Sequence, residues 1–186
     1  MKLIRVIAVM VSVLVAGCTT TAPTYQASFE NVQKLKSVST VPVKIGIFTA
    51  DSNNKDRVEN LTIRGGSFLS PYDGSYASYL REALRQEFYD AGRLSDTSNV
   101  VITGVLLNNE IDASGFSIGT AAISAQFTVS KDSQVRYNKI MLATHQWESA
   151  FAAANAVPKA HQNYPVVVQK LLSNLYGDVE FQKATK

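Results

Sequence analysis

The stretch GTAAISAQFTVSK (119–131) sets Ala121, Ile123, Ala125, Phe127 and Val129 against Ser124, Gln126 and Thr128 in a two-residue alternation. Successive side chains of a strand point to opposite faces, so this segment has one dry face and one wet one. Such a strand belongs to a sheet that is covered on one side and solvated on the other, the usual condition of antiparallel hairpins. Small alanines on the dry face predict a helix packed closely over it. The segments on either side fit the same sheet. NVVITGVLLNNEIDA (99–113) is long and rich in β-branched residues. KDSQ then turns the chain into a third strand from about Val135 to Phe151.

The other elements follow from periodicity and punctuation. VPVKIGIFTA (41–50) predicts a first strand with Val43, Ile45 and Ile47 on one face and Lys44, Gly46 and Phe48 on the other. A polar stretch leads to a short strand that ends at Gly65-Gly66. In LSPYDGSYASYLREALRQEFYDAGR, Tyr76, Leu80, Leu84, Phe88 and Ala91 form one helical stripe, with Ser70 or Asp73 as cap, Pro71 in the first turn and Gly92 as stop. Tyr76, Tyr79 and Tyr89 read as packing rather than as a sugar platform. A last helix carries Tyr164, Val168, Leu171, Leu172 and Leu175, and Pro165 places its start near 161–163. The expectation is one α+β domain over 41–181, a mostly antiparallel sheet with two amphipathic helices on one face, followed by a frayed tail at 182–186.

The N-terminus is of a different kind. MKLIRVIAVMVSVLVAGC places Lys2 and Arg5 before an apolar run broken only by Ser12, and ends it on the small pair Ala16-Gly17. Basic start, apolar middle and small residues at the cut are the plan of a secretory signal peptide over 1–17. The run is about half of the roughly 20 residues that a bilayer span needs. Cys18 is the only cysteine, so no intramolecular disulfide can form. Val15-Ala16-Gly17-Cys18 resembles the lipobox of bacterial lipoproteins. The resemblance implies a diacylglycerol on the Cys18 sulfur, cleavage before it, and acylation of the new amine with a chain such as palmitate. Several acyl chains make a stable anchor where one gives only marginal binding. Asp after the cysteine tends to retain such proteins in the inner membrane, so Thr19 implies the outer membrane, facing the periplasm. Residues 18–40, rich in Thr and Ser at first, read as the lipidated start and a tether, with Phe29, Val32 and Leu35 at weak helical spacing.

Composition narrows the chemistry. The full chain carries a net +3, of which Lys2 and Arg5 leave with the signal peptide, so nothing favours nucleic-acid binding. Hydrophobic residues at 46% and charged ones at 18% suit a packed core. Two histidines without thiols or H-x-x-x-H spacing do not make a zinc site. No G-x-S-x-G elbow and no G-K-[ST] phosphate loop occur, and no cofactor is expected. His145, Glu148 and Asp112 are the best catalytic candidates. At odd spacing on one strand, His145 and Glu148 face opposite ways. Trp147 reads as a core aromatic, and the polar loops at 51–60 and 64–74 as the functional surface.

The order of elements, with LSPYDGSYASYLREALRQEF as first helix and WESAFAAANAVPKAHQNYPVVVQKLL as the junction into the last, resembles the YajG-like group of small outer-membrane lipoproteins. The resemblance implies an α+β sandwich and an envelope address, and it brings no catalytic residue. The expectation is a non-enzymatic, lipid-anchored periplasmic module that binds or assembles with an envelope protein, lipid or glycan. The alternative is an envelope acyltransferase or hydrolase acting on lipid or sugar.

Overall fold

A computed structural model describes residues 19–38 and 41–186. The signal peptide and Cys18 lie outside the described residues. In chain order the elements are β1 (Thr19–Thr21), α1 (Phe29–Val38), β2 (Lys44–Ala50), α2 (Lys55–Glu59), β3 (Leu61–Ile63), β4 (Gly66–Leu69), α3 (Tyr76–Asp90), β5 (Val100–Asp112), β6 (Ile118–Lys131), β7 (Gln134–Glu148), α4 (Ala153–Gly177) and α5 (Val179–Ala184). The fold is α+β, and both sheets are mixed rather than purely antiparallel. The larger runs β2-β5-β6-β7, with β2 parallel to β5 and the other pairs antiparallel. The parallel pair requires a crossover, which α3 supplies. The smaller sheet runs β1-β4-β3, with β1 parallel to β4.

The alternation of β6 is realised along its length: Ala121, Ile123, Ala125, Phe127 and Val129 are buried. Helices α3 and α4 cover this face, and the alanines let α4 come close. Two glycines serve bulky partners on neighbouring strands. A Cβ on Gly104 would run into the Phe48 ring, and one on Gly119 into the Trp147 ring. Each ring lies across the glycine it pairs with, a cross-strand fit that holds register. Among the described residues no helix covers the opposite face of β6 and β7. Ser124 and Gln126 lie there beside the exposed Ile140 and Leu142.

Four expectations need correction. In β2 the pairing advances three residues, Ile45 to Phe48, while β5 advances two, Ile102 to Gly104. This bulge reverses the alternation. Phe48 is therefore buried and Ile47 points outward, 75% exposed. Helix α3 starts at Tyr76, not near Ser70: Asp73 and Gly74 take positive φ in the preceding turn, and Ser75 Oγ caps by accepting from the Ser78 N–H at 3.1 Å. The Glu59 carboxylate adds to the cap by accepting from the Ser75 hydroxyl and from the backbone of Tyr76 and Ala77, a favourable place for negative charge. Helix α4 begins at Ala153 and keeps both Pro158 and Pro165 inside it. Burial of Ala156, Ala160, Tyr164, Val167, Val168 and Leu171 outweighs two missing backbone hydrogen bonds. The tail is not frayed. Asp178 caps α5, Phe181 packs edge-on against Tyr137 at 5.6 Å, and Thr185 is buried.

The segment expected as a tether is packed onto the domain. β1 pairs with β4, Ala22 and Tyr25 are buried, and α1 buries Asn31, Val32 and Leu35. Its anchor is the fully buried Glu87 of α3. Oε1 accepts from the Tyr25 hydroxyl at 2.6 Å, from Asn31 Nδ2 at 3.0 Å and from the Ser28 N–H at 3.2 Å. Among the described residues the second oxygen makes no further hydrogen bond and neighbours the buried Tyr176 hydroxyl of α4, which makes none either. Burial raises the carboxyl's pKa above its ordinary value, against the pull of the hydrogen bonds from Tyr25 and Asn31, of the neighbouring Tyr176 hydroxyl and of the Ser28 backbone. The Tyr176 hydroxyl can donate to the second oxygen when the carboxyl is ionised and accept from it when the carboxyl is protonated.

A raised carboxyl pKa stabilises the fold fully below the unfolded value of 4.5, and that contribution is lost as pH rises through the folded value. Glu87→Gln keeps the same acceptor and adds a permanent donor. It should match wild type at acidic pH and become the more stable of the two at neutral and alkaline pH. Glu87→Ala strands the Tyr25 hydroxyl and the Ser28 N–H, at roughly 1–3 kcal/mol for each orphaned group. Urea melts across this pH range check both, and parallel curves for wild type and Glu87→Gln would contradict the assignment.

Candidate functional site

The end of the domain at which the described chain begins gathers four segments. Thr19 pairs with Ser67 beside the β3–β4 turn. Thr20 Oγ1 lies 3.4 Å from the Ser67 carbonyl, to which it donates, and 3.1 Å from His161 Nε2 on α4, which is therefore the protonated nitrogen. The His161 ring also rests on Phe68 at 4.8 Å, and burial lowers its pKa. Thr20, Arg64, Gly66, Ala153 and Val157 line one recess between β1, the turn and the start of α4.

Arg64 ties this corner to the two neighbouring loops. With φ of 53° it projects from the turn. Its guanidinium donates to the carbonyls of Ala113 at 2.6 Å, Gly115 at 3.2 Å and Ala150 at 3.1 Å. Three backbone carbonyls from two loops thus share one cation, a fork that a single ammonium could not match. Past these contacts stand Phe116 and Phe151, stacked at 5.0 Å and 12°, exposed at 78% and 67%. Ile118 beside them is 55% exposed. Neither 113–118 (ASGFSI) nor 149–154 (SAFAAA) contains an ionisable side chain.

The catalytic candidates are not brought together. His145 lies on the helix-covered face, with Nε2 at 2.8 Å from Asn163 Oδ1 and Nδ1 at 3.0 Å from Lys170 Nζ. The ammonium can only donate, so Nδ1 accepts, and Nε2–H donates to Asn163, whose own amide donates to the Lys159 carbonyl. Both ring nitrogens are engaged. Asp112 and Glu148 sit on the uncovered face, both exposed. The Ser114 hydroxyl and backbone N–H hold the Asp112 carboxyl below its usual range. Trp147 is buried over Gly119, as expected. Of the loops expected to be functional, 51–60 contains α2, whose Val58 enters the core, and 64–74 contributes Arg64. Among the described residues no three His, Cys, Asp or Glu side chains gather as a metal would need, and no helix is long and apolar enough to cross a membrane.

The Phe116–Phe151 pair was not anticipated. Its sequence signal is an uncharged, aromatic-bearing turn between two long strands, where polar turn residues are the rule.

No family model matches the chain, and no curated protein matches it in sequence. Solved structures share its fold. The Xanthomonas campestris protein XCC0632, of the DUF330 family, superposes with a TM-score of 0.60 at 12% identity, covering 89% of this chain and 96% of its own. An uncharacterised protein gives 0.52 at 6% identity, over 85% and 99%. A minor lipoprotein from Acinetobacter baumannii gives 0.43 at 9%, over 76% and 92%. At such identities the likeness to the first two extends to the fold alone.

Arg64→Met removes three hydrogen bonds from a charged donor while keeping much of the side chain's bulk. It should cost about 1–3 kcal/mol in urea unfolding and open 113–118 and 149–153 to limited proteolysis. Arg64→Lys should recover only part of either effect. Unchanged stability and cleavage in Arg64→Met would show that the loops hold without it.

Proposed function

We propose that the chain is a non-enzymatic, lipid-anchored module of the periplasm, held at the outer membrane through Cys18, that binds or assembles with an envelope component. The observation that carries this reading is the place of the lipobox relative to the fold. Val15-Ala16-Gly17-Cys18 follows a basic and an apolar segment at signal-peptide spacing, and Thr19 is already the first residue of β1. Lipid on Cys18 would be joined to a folded domain with no slack between them. Several acyl chains at about 0.8 kcal/mol per buried methylene hold a protein without a spanning helix. The uncovered face of the larger sheet, with Ile140 and Leu142 exposed, is the broad surface such a module offers.

Cys18→Ser should accumulate as an uncleaved precursor whose intact mass lacks acyl groups. Processing and mass unaffected by the substitution would overturn the anchor. Thr19→Asp should move the protein from the outer- to the inner-membrane fraction, and no movement would contradict the outer-membrane address. Turnover of an envelope lipid or glycan by the purified protein, abolished by His145→Ala, would replace the module with the enzyme.

A further inference from the structure

We infer that the loop end of the domain seats on the lipid surface that holds the Cys18 anchor, with Phe116 and Phe151 entering the headgroup layer as a pair. The inference rests on the anchor reading above and adds to it an orientation and a contact. The β1–β4 register sets Thr19 beside the β3–β4 turn, and Arg64 of that turn binds the carbonyls of Gly115 and Ala150, each next in sequence to one of the two phenylalanines. A lipid attached at residue 18 therefore emerges at the same end as the aromatic pair. β1 follows immediately, so the domain cannot stand away from the bilayer on a tether.

The surface at this end has the chemistry of an interfacial element. Two aromatic rings, Ile118 and the exposed Ala152–Ala154 present apolar area, and the loops that carry them hold no charge to desolvate. Phe side chains on such elements lie about 5–10 Å into the boundary between headgroups and acyl chains. Exposed rings stacked on each other at a loop tip are unfavourable in water, and a lipid surface removes that penalty. Arg64 clamps both loops from beneath, so the pair is held in place before contact and little ordering remains to be done on binding. Asp112 and Glu148 flank the end on the uncovered sheet face. Attraction to anionic lipid is therefore not the driving force, and apolar insertion is.

The opposite end provides the control. β5 runs the length of the domain, roughly 40 Å at about 3.3 Å per residue. Tyr89, near the end of α3 and 66% exposed, sits by the start of that strand, where Leu94 pairs with Val43. Full-length lipoprotein carrying Phe116→Trp or Tyr89→Trp is reconstituted into vesicles of phosphatidylethanolamine and phosphatidylglycerol with brominated acyl chains. Intact mass is recorded for each sample, and near-ultraviolet circular dichroism reports folding. The emission added by Phe116→Trp should fall about twofold or more relative to unbrominated vesicles, the quenching that shallow interfacial depth implies, while that of Tyr89→Trp stays unchanged. Phe151→Ser introduced with Phe116→Trp should weaken the quenching. An unacylated mass would overturn the anchor, and this inference with it. Acylated, folded protein with equal quenching at the two positions would overturn the inference alone. Phe116→Trp emission that shifts with protein concentration and not with lipid would assign the patch to a second copy, and would also overturn it.

Discussion

Glu87 is the interaction on which the rest of the structure depends. A single buried carboxyl on α3 receives the Tyr25 hydroxyl, the Ser28 amide and the Asn31 side chain, and neighbours Tyr176 of α4. A buried acid without partners is among the least favourable groups in a protein interior, so its presence commits all of these elements at once. The N-terminal segment supplies the three donors. Around this point the same segment is strapped down by further bonds: the Tyr79 hydroxyl to the Pro23 carbonyl, Asn31 Nδ2 to the Gln169 carbonyl, and Lys34 Nζ to Ser173. A stretch that would otherwise be a linker becomes the third layer over α3 and α4.

That layer gives the N-terminus a fixed place. β1 pairs Thr19–Thr21 with β4, so the described chain is held by the fold from Thr19 onward. His161 and Arg64 act toward the same end, one holding Thr20 and the other joining the β3–β4 turn to two loops. Buried tyrosines, a neutral histidine and an arginine on carbonyls thus connect the core to one extremity of the domain, and the opposite extremity carries the β6–β7 turn and the C-terminal helix.

What could be read from the sequence was what local burial determines. β6 shows its alternation because each residue meets one environment along the whole strand. The stripe of α3 is legible because a helix on a sheet repeats its burial every turn. The bulge in β2 was hidden, since one inserted residue reverses facing with no change in composition, and so Ile47 and Phe48 exchange sides. Pro165 misled because its penalty is local while the burial that overrides it comes from the sheet beneath. The α+β class was visible, and the parallel pairing of β2 with β5 was not, as it depends on the crossover. Of the corner where β1, the β3–β4 turn and two loops meet, the sequence pointed to the 64–74 loop and not to its contacts. Tyr25 meets Glu87 across 62 positions, and Arg64 reaches Ala150 across 86. Phe116 and Phe151 stack only because two loops end at the same height.

The central claim is that residues 19–38 are part of the domain and not a tether. Hydrogen–deuterium exchange on the purified protein, followed by peptide mass spectrometry, tests it most directly. The account predicts that peptides covering 22–38 exchange as slowly as those of α3, with protection falling in both together when Glu87 is replaced by Ala. Exchange of 22–38 at the rate of an unstructured peptide, while α3 stays protected, would contradict it.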